Sequence, residues 1–159
     1  MVLSLIYGCQ TDDNFKKVDR AINQVEVLHE DTSFNFFWIK FRSSVINNNI
    51  HELIKNTNFP LETRGPQDSD EITKYDESEF QIVFQTFLKE DSEQEISEFD
   101  LIMKLEKYEL SNKRDFYLVG DWARVGEMEF KKIDNKWKLN FLYLYYGTID
   151  EINYNLNKK

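Results

Sequence analysis

The sequence predicts an α+β fold in which N-terminal helices pack on a curved C-terminal antiparallel sheet. Apolar residues recur with a helical period between residues 34 and 88. Between residues 116 and 146 the period changes to two, and aromatic and β-branched residues, which strands favour, become frequent. With 159 residues, 41% hydrophobic and 15% aromatic, the chain is long and apolar enough to bury a substantial core.

The first helix is predicted to follow a cluster of N-cap residues, Asp31–Ser33. Its apolar face carries residues at helical spacing, namely Phe34, Phe37, Trp38, Phe41 and Val45. Asn47–Asn49 ends it, since Asn tolerates left-handed conformations, and a second short helix buries Ile50, Leu53 and Ile54. Each amphipathic element must cover another, so we expect the first helix to pack on the C-terminal sheet, with Phe37, Trp38 and Phe41 contacting Leu139, Phe141 and Tyr143.

The middle of the chain alternates between extended and helical signals. Proline at position 60 predicts that Phe59–Gly65 is an edge strand or extended segment, and Pro66–Tyr75 is predicted as a polar loop. Asp76–Glu79 resembles a capping box, and it precedes an apolar helical stripe over Phe80–Leu88 that is typical of core. The pattern of Glu98–Leu110 fits a helix or a strand.

The last third is predicted to be an antiparallel meander. Phe116–Trp122 forms one strand, and Arg124–Ile133 pairs with Lys136–Tyr146 through a type I′ turn at Asp134–Asn135. Gly126 indicates a bulge in the earlier hairpin strand. In the later one, apolar residues alternate with polar ones and are expected on one face: Trp137, Leu139, Phe141, Tyr143 and Tyr145.

This order of elements resembles NTF2-like (SnoaL-type) domains. The residues that carry the resemblance are Phe37–Val45, Phe59–Leu61 and the run Glu127–Leu139, with its strand, turn, Lys-Trp and second strand. The resemblance covers about two-thirds of the chain and implies a cone in which the curved sheet and the helices enclose a cavity. It implies no particular activity, because such folds carry many functions.

The segment before the domain contains the only cysteine. An apolar run, Val2–Tyr7, leads through Gly8 to Cys9, and polar residues Gln10–Asp13 follow. This order resembles the end of a bacterial lipoprotein signal, and Gln10–Asp13 is similar to the acidic export tag of Bacteroidetes surface lipoproteins. The resemblance implies lipidation of Cys9, with residues 1–30 a truncated signal and tether and 31–159 a single α+β domain. It places the protein in the bacterial cell envelope, at the outer membrane or surface.

The alternative for this segment is a short N-terminal strand in which Cys9 is a small buried hydrophobic residue. If Met1 is the native start, the location is cytoplasmic.

The net charge of −9 comes from one acidic segment. Between Glu62 and Asp100 there are thirteen acidic residues and three basic ones. This field disfavours nucleic acid, whose binding needs clustered Lys and Arg. The segment serves solubility or faces a basic protein partner. The basic group Lys131, Lys132, Lys136 and Lys138 is interpreted as the solvated rim of the hairpin.

Six residues form the candidate pocket of the cone. Residues two apart share a strand face, so Glu62 and Arg64 are expected to point inward, where they meet Asp121 and Arg124. Tyr117 and Trp122 are expected to line the same cavity, which would accept a small apolar ligand. The alternative is that these charges form surface ion pairs.

Neither a cofactor nor a metal is indicated. The five glycines are not grouped as a phosphate loop requires, and the two histidines, His29 and His51, are far apart. Asp68–Glu71 lacks the spacing of a calcium loop. No residue is therefore assigned a catalytic or metal-binding role.

Three functions follow as hypotheses. The first is a non-catalytic binding or interaction module, attached to the membrane through a lipid at Cys9. The second is an NTF2-like enzyme that acts on a small apolar substrate with Glu62 and Asp121 as an acid/base pair. The third is an acidic immunity or inhibitor protein that masks a basic toxin.

Overall fold

Five helices and one six-stranded sheet make up the described residues of the computed structural model, which are 33–90, 97–105 and 116–158, without the side chain of Phe116. All of them belong to one compact unit, Asp31–Lys159. The predicted α+β class is confirmed. Cys9 and the rest of the expected signal and tether lie outside the described residues.

The helices, in chain order, are α1 (Phe34–Ile46), α2 (Ile50–Lys55), α3 (Phe80–Phe87), α4 (Glu98–Lys104) and α5 (Tyr146–Leu156). The predicted cap of α1 is present, because the Ser33 side chain accepts a hydrogen bond from the Phe36 amide at 3.3 Å. Its end is also as predicted, with Asn48 in the left-handed region at φ 50°. The ambiguous segment after Glu98 is helical as far as Lys104.

The strands are β1 (Thr57–Arg64), β2 (Thr73–Tyr75), β3 (Phe116–Val119), β4 (Trp122–Val125), β5 (Met128–Ile133) and β6 (Lys136–Tyr143). They lie in the order β2-β1-β6-β5-β4-β3. β1 pairs with β6 in parallel, and the other pairs are antiparallel, so the sheet is mixed rather than wholly antiparallel.

β1 is an internal strand, although an edge position was predicted for it. The edge strand on that side is β2, which forms within the segment that was predicted to be a loop. Proline lacks the N–H that a ladder needs, which is why position 60 indicated an edge. Here the register shifts between Thr57 and Glu62, and Pro60 lies within that irregular stretch. An irregularity thus accommodates the proline inside the sheet.

Three two-residue turns connect β3 to β6. Asp134 and Asn135 both have positive φ, at 48° and 61°, as the predicted type I′ turn requires. The bulge predicted at Gly126 is wrong, because Val125 pairs directly with Met128 and Gly126, at φ 57°, lies with Glu127 in the β4–β5 turn. Gly120–Asp121 likewise divides the predicted strand Phe116–Trp122.

A second irregularity of the sheet is a bulge in β6. Phe130 pairs with Leu139 and Glu129 with Phe141, so Asn140 is an extra residue on β6. One extra residue reverses the alternation that follows it. Leu139 and Leu142 therefore lie on one face of the sheet, while Phe141 and Tyr143 lie on the other.

We call the face that carries Leu139 and Leu142 the helix-covered face, because every described helix contributes to the core cluster packed on it. The helical members include Val45, Leu53, Phe84, Ile102 and Ile152. From the sheet, the ring of Phe130 lies 5.1 Å from that of Phe41 and 6.0 Å from that of Trp38, and Trp137 contacts Phe34 at 5.0 Å.

The helix α1 therefore packs on the sheet as predicted, and Leu139 belongs to the same core. The expected contacts with Phe141 and Tyr143 are wrong, because the β6 bulge turns both side chains to the opposite face. In the described part of the chain, no helix has the length and apolar character needed to cross a membrane.

Candidate functional site

The candidate site is the sheet face opposite the helices, which we call the outer face. Strand register places one residue from each strand in a single row across it: Tyr117, Arg124, Glu129, Phe141, Glu62 and Lys74. Trp122 and Arg64 lie on the same face, two residues from Arg124 and Glu62 respectively. The structure therefore brings five of the six predicted site residues to one face.

That face is not the predicted one. Leu61 and Thr63 are buried in the core, so their neighbours Glu62 and Arg64 point away from it. On β4, Ala123 is buried in the same way, and Trp122 and Arg124 again point outward. The predicted grouping is thus present, but on the face opposite the helices rather than as the lining of a cavity between sheet and helices. It is only partly exposed, because the side chains of Arg64 and Arg124 are 19% and 20% exposed and Phe141 is 8% exposed.

Tyr143 is the centre of the outer face. The guanidinium carbon of Arg124 lies 4.2 Å from the centre of its ring, and that of Arg64 lies 5.4 Å away. Its hydroxyl donates a hydrogen bond to Glu129 Oε1 at 2.8 Å. Burial and the Glu129 carboxylate raise the pKa of Tyr143 to about 12, against the opposing effect of the two arginines. The phenol is therefore a neutral donor at physiological pH.

Arg124 is held rigidly. Its Nη2 pairs with Glu127 Oε2 at 2.8 Å, and its Nε donates to the Gly126 carbonyl at 3.0 Å. Burial lowers the pKa of Arg124, but Glu127, Tyr143 and Tyr117 together outweigh that effect and raise it. The result is a permanent cation with one planar face stacked on an aromatic ring, a favourable arrangement for arginine.

Glu129 links the aromatic residues of two strands. Its Oε1 accepts from Tyr143, and its Oε2 accepts from Trp122 Nε1 at 3.3 Å. The ring of Trp122 in turn lies 4.4 Å from that of Tyr117. Both carboxylate oxygens thus have donors, and Glu129 acts as a bridge that orients the rings.

At the other end of the row, the charges form ion pairs. Lys74 Nζ lies 2.8 Å from Glu62 Oε1, and Arg64 Nη2 lies 2.7 Å from Asp68 Oδ1. These two contacts match the alternative expectation of surface pairs. Each contributes at most about 1 kcal/mol if it is solvated.

Asp121 does not join the other five. It lies exposed in the β3–β4 turn, where its carbonyl accepts from the Lys132 amide at 2.8 Å. Three strand spacings separate β1 from β4, which is about 14 Å. Glu62 and Asp121 are therefore too far apart to act on one substrate atom as an acid/base pair.

The next row of the outer face is basic and apolar. Register aligns Val119, Trp122, Lys131 and Lys138 across four strands. Lys131 and Lys138 are direct cross-strand neighbours, and the Lys138 ammonium donates a hydrogen bond to the Lys55 carbonyl. Burial and the charge of Lys136 lower the pKa of Lys138. Val119 is 68% exposed at the end of this row.

The arrangement is suited to recognition. Arginine guanidinium groups bind carboxylates through paired donors, and stacked rings offer apolar area at little entropic cost. Within the residues that the structure describes, no three His, Cys, Asp or Glu side chains are grouped as metal ligands.

Sequence reasoning missed three members of the site, Glu129, Phe141 and Tyr143. The last two were assigned to the core by simple alternation. The sequence did contain a signal for the bulge. Leu142 and Leu144 are apolar at positions where alternation from Leu139 predicts polar residues, and a bulge explains this change of phase.

No family model, curated protein or solved structure matches the chain. What the fold and site define is an α+β module with one sheet face packed under helices and a second that presents fixed Tyr, Trp and Arg side chains.

Proposed function

We propose that the protein is a lipid-anchored, non-catalytic binding module of the bacterial cell envelope, and that it binds a protein partner through the outer face of its sheet. The observation that carries the proposal is the stack of Arg64, Tyr143 and Arg124, oriented by Glu129 and Glu127.

The residue types support a protein partner. Tyr, Trp and Arg are the residues that most often dominate binding energy at protein interfaces. On this face they are already held by hydrogen bonds and ion pairs, so little side-chain freedom remains to be lost when a partner binds.

Charge indicates that the partner offers carboxylates. The like-charge pair Lys131–Lys138 would be relieved by an anionic group placed over it. Arg124 and Arg64 lie on the same face, where they already pair with Glu127 and Asp68. Glu62 and Asp68 are likewise paired within the chain, with Lys74 and Arg64, which leaves less of the acidic segment's charge for a basic partner.

The membrane anchor is supported by the sequence around Cys9. An apolar run, a small residue, cysteine and a polar segment follow one another in the order of a lipoprotein signal. Attachment at Cys9 would hold the protein at a membrane, where another envelope protein can be its partner. A multiply acylated cysteine anchors stably, whereas a single chain does not.

Membership of the NTF2-like group is proposed on the order of elements. Two helices, β1 and β2, two further helices and the meander β3–β6 follow one another, which agrees with the expected order except that β2, a second middle helix and the final helix α5 are added. In this chain the space between helices and sheet is filled by buried aromatic residues, including Trp38, Phe84 and Phe130.

The anchor is tested by replacing Cys9. Wild-type protein, expressed with its native upstream region, should incorporate labelled fatty acid and fractionate with membranes. The Cys9→Ala variant should lose both, and a signal-peptidase II inhibitor should shift the processing of the wild type, leaving an uncleaved precursor. Unmodified wild-type protein in the cytosol would contradict the anchor and favour the cytoplasmic alternative.

Binding is tested at Val119, whose exposure makes it tolerant of charge. Val119→Glu should weaken capture of an envelope protein at least tenfold, because it repels carboxylates, whereas the matched Val119→Lys should retain or strengthen it. The reverse order would indicate a basic partner. Equal capture by both variants would show that the outer face is not the interface.

A further inference from the structure

A second group of ionisable side chains lies where α3 ends, α5 begins and β4 turns into β5. Glu90, just after α3, is only 6% exposed. Its Oε1 accepts a hydrogen bond from the Tyr145 amide, at the N-cap of α5. The N-cap residue itself makes no side-chain cap, so a carboxylate from another element serves that purpose.

The environment of Glu90 is acidic. Glu127 faces it from the β4–β5 turn and is itself paired with Arg124. Glu98, buried at the start of α4, has its carboxylate beside Gly126 in the same turn, and its amide donates to the Glu90 carbonyl at 3.0 Å. The other Glu90 oxygen, Oε2, is buried and accepts no hydrogen bond from the described residues.

Two sets of contacts therefore compete at Glu90. Burial and the Glu127 charge disfavour the carboxylate and raise the pKa of Glu90 to about 7, although the Tyr145 amide and the Thr148 side chain favour it. Detachment of α5 would return the carboxylate to water and remove these penalties. The carboxyl is thus neutral in mildly acidic solution and charged in mildly alkaline solution.

We propose that Glu90 is a pH-sensitive latch, which holds the start of α5 against the end of α3 when it is protonated and loosens that attachment when it ionises. The latch acts inside the fold and does not depend on binding through the outer face.

The direction of the effect follows from proton linkage. A carboxyl whose pKa is higher in the folded than in the unfolded protein stabilises the fold fully below the unfolded value of about 4.5. That stability is lost as pH rises through the folded value of about 7. Between pH 5 and pH 8 the unfolding constant should therefore rise roughly 10- to 100-fold.

The test compares wild type with Glu90→Gln, which keeps an oxygen acceptor for the Tyr145 amide and cannot ionise. Unfolding by urea at pH 5 and pH 8 should show the 10- to 100-fold rise in wild type and less than a threefold rise in Glu90→Gln. The control, Glu77→Gln at an exposed position, should follow wild type. Parallel pH profiles for wild type and Glu90→Gln would overturn the latch.

Two measurements on wild type keep the test decisive if Glu90→Gln folds poorly. Hydrogen exchange of the amides of residues 145–149, corrected for intrinsic pH dependence, should accelerate between pH 5 and pH 8 more than that of α1. Carbon NMR should place the midpoint of the Glu90 carboxyl near pH 7. A midpoint below pH 5, or uniform exchange across the two helices, would contradict the proposal.

Discussion

At the scale of single residues, the outer face depends on Tyr143. The guanidinium carbons of Arg124 and Arg64 lie 4.2 Å and 5.4 Å from the centre of its ring. Its hydroxyl donates to Glu129, which also accepts from Trp122. Removal of the hydroxyl should leave the ring in place and release one oxygen of Glu129. Tyr143 therefore orients the side chains around it, and the contribution of its hydroxyl can be tested separately from that of its ring.

Tyr143→Phe should lower the free energy of unfolding by about 1 kcal/mol, since a hydrogen bond to a charged group is lost at a half-buried position. Urea unfolding at pH 7 measures this change. The matched variant Tyr154→Phe, at a side chain 60% exposed, should have no measurable effect. Equal values for the two variants would show that the bond to Glu129 contributes nothing.

Trp38 is the corresponding test of the core. It is fully buried, its ring contacts Phe41 and Phe130, and its Nε1 donates to the Leu105 carbonyl at 3.3 Å. Trp38→Ala should cost about 3–5 kcal/mol of unfolding free energy. Ile39→Ala, the next residue and 51% exposed, should cost less than about 1 kcal/mol. A similar small loss in both would contradict the assignment of the α1 face to the core.

At the scale of elements, the β6 bulge decides which side chains reach the outer face. If Asn140 were paired as an ordinary strand residue and formed no bulge, strict alternation would place Phe141 and Tyr143 with Leu139 in the core and turn Leu142 outward. The same bulge explains why the sequence pattern did not predict the facing of these side chains. Whether a strand contains an extra residue depends on how it pairs with its neighbour. In the sequence alone, the bulge appears only as apolar residues at both odd and even positions.

Deletion of Asn140 should therefore preserve cooperative folding, because it removes the one extra residue, and regular alternation then still places Leu142 in the core and Phe141 and Tyr143 on the outer face. The control is Asn140→Ala, which keeps the bulge and loses only the bond from Asn58 Nδ2 at 3.1 Å. It should fold with a loss of about 1 kcal/mol. Circular dichroism during thermal unfolding compares the two, and a deletion variant that loses its cooperative transition while Asn140→Ala keeps it would contradict the assignment of Asn140 as the extra residue.

Elements that depend on neighbouring residues were predicted from the sequence, whereas contacts between distant segments were not. The N-cap and spacing of α1 and the Asp134–Asn135 turn depend on neighbouring residues, and both were predicted. The parallel pairing of β1 with β6 joins residues more than seventy positions apart, which periodicity does not encode. No helix was predicted after Tyr146, where α5 forms against α3 and covers part of the core with Ile152.

At the scale of the whole molecule, net charge gave an incomplete account of the surface. The chain carries −9, yet the outer face includes Arg64, Arg124, Lys131 and Lys138. Several acids of the acidic segment have structural partners instead, such as Asp76, which accepts from the Ser78 amide at 2.8 Å. The five clustered site residues were predicted correctly as a group, because residues two apart in a strand share a face. This alternation does not show which of the two faces the helices cover.

The claim that the outer face is an interaction surface is tested most directly by cross-linking in isolated cell envelopes. A photoreactive amino acid replaces Val119 on the outer face or, as the control, Tyr154 on α5, both of which are well exposed. The account predicts one discrete protein adduct from position 119, weakened by added salt, and none from position 154. No adduct from position 119, or the same adducts from both positions, would contradict it.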